Sequence, residues 1–130
     1  MARPTILAFN LSDARLAKLR FLCMKLGLLA KVVPPEDFNQ PLAALAGLAD
    51  RNESPEAAES FADEMIVFCH MTNVQLNNFL KTAKQQRIPP FPLKAILTPT
   101  NAEWTPVALC RELQEERAAI LSGSQAHKAD

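Results

Sequence analysis

Cys69 and His70 are the two neighbouring side chains in this sequence that could form a nucleophile and its base. A catalytic thiol reacts as the thiolate, and a histidine within hydrogen-bond reach can take its proton. Cys69, however, ends the apolar run Met65–Cys69, whose length and composition are typical of a buried strand, and His70 follows that run directly. Successive strand residues point to opposite faces of a sheet. The sequence therefore favours a buried cysteine and a separate histidine over a catalytic pair.

Other familiar catalytic and cofactor-binding motifs are missing. The three glycines (Gly27, Gly47 and Gly123) are isolated, so the chain has neither a phosphate-binding loop nor a dinucleotide-binding glycine turn. The three cysteines are far apart in apolar runs, which predicts buried free thiols in a reducing compartment. The second histidine, His127, has no potential ligand pattern around it. We therefore predict no metal and no cofactor, and the sequence favours a protein that is not an enzyme.

Composition narrows the class of partner. The chain has 130 residues, 48% of them hydrophobic, and a formal net charge of +0, which fits one domain with a substantial core. Nucleic-acid binding normally requires an excess of basic residues, and a membrane span requires about 18 consecutive apolar residues. The sequence has neither feature. The first apolar run begins so close to Met1 that we expect no signal peptide. We expect a cytoplasmic protein that binds neither nucleic acid nor membrane.

Hydrophobic periodicity and capping residues predict four strands and four helices. The helices after the first, third and fourth strands begin at Ser12, Thr72 and Thr105. We expect one α/β domain over residues 1–121, a mobile acidic loop at about 50–64, and a frayed tail over 122–130. No internal repeat is apparent. The predicted strands cover residues 5–9, 28–33, 65–69 and 93–97, and the helices begin near 12, 41, 72 and 105.

Two of the strands are apolar throughout, which is typical of strands covered by helices on both faces in a mainly parallel sheet. Right-handed crossovers then predict the strand order 2-1-3-4. Lys31 and Lys94 lie within the second and fourth strands, and lysine is most easily placed at a sheet edge. The alternative is a ferredoxin-like α+β sheet with an extra C-terminal helix, because it has the same order of elements.

Polar residues follow the ends of the predicted strands. In an open parallel sheet, ligands bind beyond the carboxyl ends of the strands. We therefore predict a ligand-binding or partner-binding edge there, with Asn101 as its best candidate because an amide both donates and accepts. The stretch from Thr98 to Asn101 is also a strong turn on propensity alone, so a purely structural role is the alternative. The predicted edge consists of Asn10, Thr98, Thr100, Asn101 and Trp104.

The first helix has more apolar surface than a sheet can cover. One stripe, which contains Leu19 and Leu22, must face the core. Ala17, Phe21 and Met24 form a second stripe on a different side of the helix. A helix that lies on a sheet needs only one such stripe. The second is therefore predicted to contact either a neighbouring helix or another chain.

Several of these stretches together resemble a known family. Leu93–Trp104 (LKAILTPTNAEW), Gln40–Leu48 (QPLAALAGL), Asn10–Ser12 and Glu64–Val67 are similar to the pattern of a small bacterial domain of unknown function. The resemblance covers residues 6–116 approximately and implies no activity, substrate or cofactor. A small residue such as glycine is usual there at the position of His70, which argues further against catalysis by His70.

The sequence thus predicts a small cytoplasmic α/β module that binds a protein partner or associates with itself. The alternative is a small-metabolite-binding protein or an enzyme that uses the edge around Asn10 and Thr98–Asn101.

Overall fold

Two five-residue apolar runs form the central strands of a four-stranded sheet in the computed structural model, which describes residues 3–51 and 60–129, with side chains as far as residue 120. Every residue of both runs is buried. The elements are β1 (Thr5–Phe9), α1 (Asp13–Leu26), β2 (Leu29–Val32), a single 3-10 turn (Pro35–Asp37), α2 (Leu42–Leu45), β3 (Met65–Cys69), α3 (Asn73–Gln85), β4 (Leu93–Ile96) and α4 (Pro106–Ala129).

The sheet has the predicted strand order, β2-β1-β3-β4, with the strands that carry Lys31 and Lys94 at its two edges. The strand directions differ from the prediction. β1 pairs with β2, and β3 with β4, in parallel, but the central pair β1–β3 is antiparallel. The sheet is therefore mixed, and the prediction of a mainly parallel sheet is wrong. A strand that is buried on both faces is apolar whether it runs parallel or antiparallel to its neighbours. Composition therefore could not reveal the direction of the strands.

The core has two layers, one on each face of the sheet. Alternate residues of the central strands, such as Ile66 and Phe68, pack with α1 and α3 on one face. The residues between them, such as Val67 and Cys69, pack with α2 and α4 on the other. Helices thus cover both faces, as the sequence predicted, and a ferredoxin-like sheet with one open face is not found.

The structure reveals an internal repeat that the sequence analysis missed. The two β-α-β segments have similar conformations. Corresponding residues of β1 and β3, and of α1 and α3, lie 60 positions apart, whereas those of the second strands, β2 and β4, lie 64 positions apart. The side chains of Ser12 and Thr72 cap α1 and α3, and each helix ends near a residue with positive φ, Gly27 and Arg87. Further pairs are Asn10 and His70, with φ of 61° and 59°, the buried Leu19 and Phe79, and the buried Leu28 and Ile88.

A pseudo-two-fold axis relates the two halves. Leu7 pairs with Val67, its own counterpart 60 positions later, so the axis passes between these two residues at the centre of the sheet. Each half is a β-α-β unit followed by a helix that begins after Pro41 or at Pro106 on the opposite face. The antiparallel central pair follows from this symmetry, because a two-fold axis perpendicular to a sheet reverses the strand direction.

α4 continues to Ala129. The frayed tail expected over residues 122–130 stays a prediction. Of the predicted mobile loop at 50–64, residues 52–59 lie outside the described residues.

Candidate functional site

The residues predicted to share one edge of the sheet lie at its two opposite ends. Asn10 follows β1, whose last residue, Phe9, pairs with Met65 at the start of β3. Thr98–Asn101 follow β4, which runs parallel to β3 and therefore ends at the other side of the sheet. The structure keeps Thr98–Asn101 together but separates them from Asn10. The prediction of a single edge that combines them is wrong because β1 and β3 run in opposite directions.

Asn10 and His70 hold the two ends of the connection between α2 and β3. The Asn10 side-chain amide Nδ2 donates to the carbonyl oxygens of Phe61, at 2.8 Å, and Asp63, at 3.1 Å. The His70 ring nitrogen Nε2 lies 3.1 Å from the carbonyl oxygen of Ala46. A carbonyl oxygen only accepts, so Nε2 carries the hydrogen in this contact. Both side chains are thus engaged in structural hydrogen bonds.

Asn101 is buried, and its amide is engaged within its own turn. Its Oδ1 accepts from the backbone nitrogen of Thr98 at 2.9 Å, and its Nδ2 donates to the carbonyl oxygen of Ile96 at 3.0 Å. The Thr98 hydroxyl in turn accepts from the Asn101 backbone nitrogen at 3.2 Å. This reciprocal arrangement closes the turn after β4. It favours the structural interpretation of Asn101, whereas Thr98 and Thr100 remain exposed.

The same turn caps α2. No side chain caps the start of this four-residue helix. Instead, the carbonyl oxygen of Trp104 accepts from the Leu42 nitrogen at 2.8 Å, and that of Ala102 accepts from the Ala43 nitrogen at 2.7 Å. These bonds satisfy two of the donors that a helix leaves open at its N-terminus. The half-buried Trp104 side chain also packs against the core layer of α2 and α4.

The three thiols are buried and therefore weakly acidic. Burial raises the pKa of Cys69 to about 12 and the pKa values of Cys23 and Cys110 to about 11. The Cys69 side chain belongs to the core layer of α2 and α4, and its Sγ lies 3.8 Å from the carbonyl oxygen of Val67. A thiolate of Cys69 at neutral pH is thus disfavoured.

We expect slow alkylation of all three cysteines by iodoacetamide in the folded protein at pH 8, and rapid alkylation in urea. Folding raises the three pKa values above the reference value of 9.0. Their contribution to stability is therefore complete below pH 9 and is lost as the pH rises towards 11 to 12, because the unfolded thiols ionise first. Mass spectrometry of the alkylated protein measures this. One rapidly modified cysteine in the native state would show an accessible, reactive thiol.

A groove follows the outer edge of β4, between α3 and α4. We call it the β4 groove. Its main part has a volume of about 440 Å³ and lies between α3 and α4, with β4 as its floor. A second, apolar hollow of about 340 Å³ adjoins it at the start of β4. Leu80 and Lys94 line both parts.

Arg15 positions one end of this groove, and the sequence analysis missed it. Its guanidinium donates from Nη1 to the carbonyl oxygen of Pro89 at 2.8 Å and from Nη2 to that of Pro90 at 3.1 Å. It also pairs with Glu64 at 3.4 Å and lies 4.1 Å from the centre of the Phe91 ring. Arg15 thus connects α1 to the segment that leads into β4. Nothing in the sequence distinguishes it from the other basic residues of α1.

The second apolar stripe of α1 is exposed. Phe21 is 43% exposed and Met24 is 77% exposed, and Ala17 is also exposed. Ala17 and Phe21 line a shallow hollow with Ile88. Within the described part of the chain, the stripe therefore stays accessible to a partner.

The described residues offer no site for a metal: no three of their histidine, cysteine, aspartate and glutamate side chains are grouped to hold an ion. None of the helices in that part of the chain combines the length and apolarity needed to cross a bilayer.

A family model matches the second half of the chain, whereas no curated protein and no solved structure matches the chain. The segment that matches a family model, residues 64–120, begins one residue before β3 and covers β3, α3, β4 and the first four turns of α4. It includes Leu93–Trp104 but not Gln40–Leu48. Residues 64–120 match DUF3783, a domain of unknown function, which confirms the predicted resemblance to a family of that kind.

Proposed function

We propose that this protein is a non-catalytic binding module that takes up an extended polypeptide segment along β4. The observation that carries this proposal is an edge strand at the floor of an apolar groove. An exposed edge presents backbone donors and acceptors to which another strand can add, and adjacent pockets then select its side chains. The buried thiols and engaged polar side chains described above offer no competing catalytic arrangement.

The backbone of β4 is oriented for strand addition. The Leu97 nitrogen donates to the carbonyl oxygen of Phe68 in β3 at 2.9 Å. In a parallel pair, alternate residues bond to the same neighbour, so Ala95 also faces β3 while Lys94 and Ile96 face outward. The Ile96 carbonyl oxygen already accepts from Asn101. An added strand would therefore bond to Lys94 and to the Ile96 nitrogen.

The walls of the groove fit the alternation of side chains along such a strand. On the α3 side, Leu80 and Ile96 are 41% and 48% exposed, although both are large and apolar. On the α4 side, Ala95 and Leu113 provide a second apolar surface. Successive side chains of an added strand point to opposite faces of the sheet. They would bury apolar area on α3 and α4 in turn, which adds affinity to the backbone bonds.

Proline substitution tests strand addition directly. Lys94→Pro removes an outward N–H and obstructs the edge, and proline is tolerated at an edge position. Peptides selected from a displayed random library on the native protein should bind Lys94→Pro at least tenfold more weakly. Lys94→Ala serves as the control for loss of the charge. Fluorescence anisotropy gives the dissociation constants, and circular dichroism verifies folding.

The repeat provides a matched control on the opposite edge. Leu29 and Val33 donate to β1 from their nitrogens, so Ala30 faces outward on β2 as Lys94 does on β4. Ala30→Pro should leave peptide binding unchanged. Equal binding by native protein, Lys94→Pro and Ala30→Pro would contradict the proposal, as would a library without any enriched peptide.

The exposed stripe of Ala17, Phe21 and Met24 is a second candidate surface, for a protein partner or for self-association. Met24 is the most exposed of its large apolar residues, at 77%. Phe21→Glu should then weaken that association without affecting peptides bound at β4. The buried free thiols support a cytoplasmic location for either role.

A small-molecule site is the remaining alternative. It would be confined to the hollow of about 440 Å³ that His70, Thr98 and Leu48 line, because Asn10 lies at the other end of the sheet.

A further inference from the structure

The two walls of the β4 groove carry opposite charges. Glu112 and Glu116 lie one turn apart on α4 and line the groove on that side. Lys84 and Lys94 line its apolar hollow on the α3 side. Lys94 pairs with Ile66, which belongs to the core layer of α1 and α3, so its side chain lies on the α3 face of the sheet.

We infer that the segment that adds to β4 is a strand of a partner protein with basic side chains towards α4 and acidic side chains towards α3. This inference rests on the proposed function and specifies the chemistry of its ligand. Successive side chains of a strand point to opposite faces of a sheet. Basic side chains at every second position would therefore lie against the acidic α4 wall, and acidic side chains between them would lie against the basic α3 wall. Such cross-strand and wall contacts between opposite charges favour one register and one partner over others.

The apolar hollow at the start of β4 adds an anchor to this pattern. Phe79, Ala83, Ile88 and Phe91 line its volume of about 340 Å³, and Arg15 fixes the segment that carries Phe91. A hollow of this size accommodates one large apolar side chain, and a buried aromatic anchor commonly supplies much of the binding energy of a peptide. The bound strand would therefore have an aromatic residue at one end of its α3 face.

Charge disfavours a second copy of this chain as the occupant. In an antiparallel addition of β4 to β4 that keeps the sheet faces aligned, Lys94 of the second copy would lie on the α3 side. It would there approach Lys94 and Lys84 of the first. Like charges opposite each other destabilise strand pairing, and an edge lysine commonly prevents self-association.

Two synthetic heptapeptides with identical composition and capped ends test the inference. Phe-Lys-Glu-Lys-Val-Lys-Glu places lysine on one face and phenylalanine, valine and glutamate on the other. In Phe-Lys-Lys-Glu-Val-Glu-Lys, both glutamates move to the first face and two lysines to the second. We expect the first peptide to bind at least tenfold more tightly in fluorescence anisotropy at low salt. The preference should weaken as salt screens the charges.

Charge reversal on α4 provides the matched variants. Glu112→Lys combined with Glu116→Lys should remove most of the preference, whereas Glu115→Lys, on the same helix but outside the groove, should retain it. Equal affinities for both peptides, each abolished by Lys94→Pro, would overturn the charge pattern and keep strand addition. Failure of both peptides to bind would overturn both proposals. A dimer that Lys94→Pro dissociates would show that a second copy occupies β4 and would overturn the inferred partner.

Discussion

Replacing Asn101 with alanine is expected to lower the free energy of unfolding by about 3 kcal/mol, since a buried amide and its hydrogen bonds are lost together. Asn101 is only 8% exposed. Its loss would leave the Thr98 nitrogen and the Ile96 carbonyl oxygen without the bonds of 2.9 Å and 3.0 Å that it now provides. It would also loosen the turn whose carbonyl oxygens cap α2. Urea denaturation followed by circular dichroism measures the change.

Two further substitutions separate this structural role from ligand binding. Thr100 lies in the same turn but is exposed, so Thr100→Ala should change stability by less than about 0.5 kcal/mol. Asn101→Asp retains an acceptor for the Thr98 nitrogen but loses the donor to Ile96, and its effect should be intermediate. If Asn101→Ala were as mild as Thr100→Ala, the amide would be dispensable for folding. The interpretation of Asn101 as a ligand-binding residue would then be favoured.

The order of the strands could be predicted from the sequence, but the direction of β3 could not. Lys31 and Lys94 mark the two edges, and the uninterrupted apolar runs mark the centre. An apolar run carries no information on direction, however, and the long connection between β2 and β3 can return at either end of the sheet. In the structure it begins and ends at the same end, because Phe9 pairs with Met65. The predicted edge combined residues from the ends of β1 and β4. It was wrong for the same reason, because these two strands end at opposite ends of the sheet.

The repeat escaped sequence analysis because the two halves share conformation more than residue identity. The residues with positive φ form two equivalent pairs, Asn10 with His70 and Gly27 with Arg87. Glycine adopts this conformation at little cost, whereas arginine rarely does, so residue type alone obscured the equivalence. The signal that could have revealed the repeat is that both the ends of the apolar runs, Phe9 and Cys69, and the capping residues, Ser12 and Thr72, lie 60 residues apart.

The turn after β4 shows what propensity can and cannot predict. Its residues indicated a turn, and a turn is present. They could not indicate that Ala102 and Trp104 would cap α2, because that contact joins residues about 60 positions apart. The two stretches on which the family resemblance chiefly rests, Gln40–Leu48 and Leu93–Trp104, meet at this contact. Part of that sequence pattern therefore has a structural rather than a catalytic explanation.

Phe79→Ala is expected to lower the free energy of unfolding by about 4 kcal/mol, because it removes a large side chain from a closely packed layer. Phe79 is 1% exposed, and its ring packs edge-on against Phe68 with the ring centres 5.3 Å apart. It also lines the apolar hollow at the start of β4, so the variant should disturb the β4 groove. Val74→Ala is the control on the same helix, since Val74 is 68% exposed and should cost less than about 0.5 kcal/mol.

Phe79→Leu distinguishes the repeat from ordinary core packing. Leu19 is the counterpart of Phe79 in the first half, is fully buried, and packs in the same layer. If α1 and α3 are equivalent across the pseudo-two-fold axis, leucine at position 79 occupies a place that the fold already accepts in its other half. The loss should then be about 1.5 kcal/mol, well below that of alanine. Equal losses for Phe79→Leu and Phe79→Ala in urea denaturation would show that the aromatic ring is required and that the two helices pack by different rules.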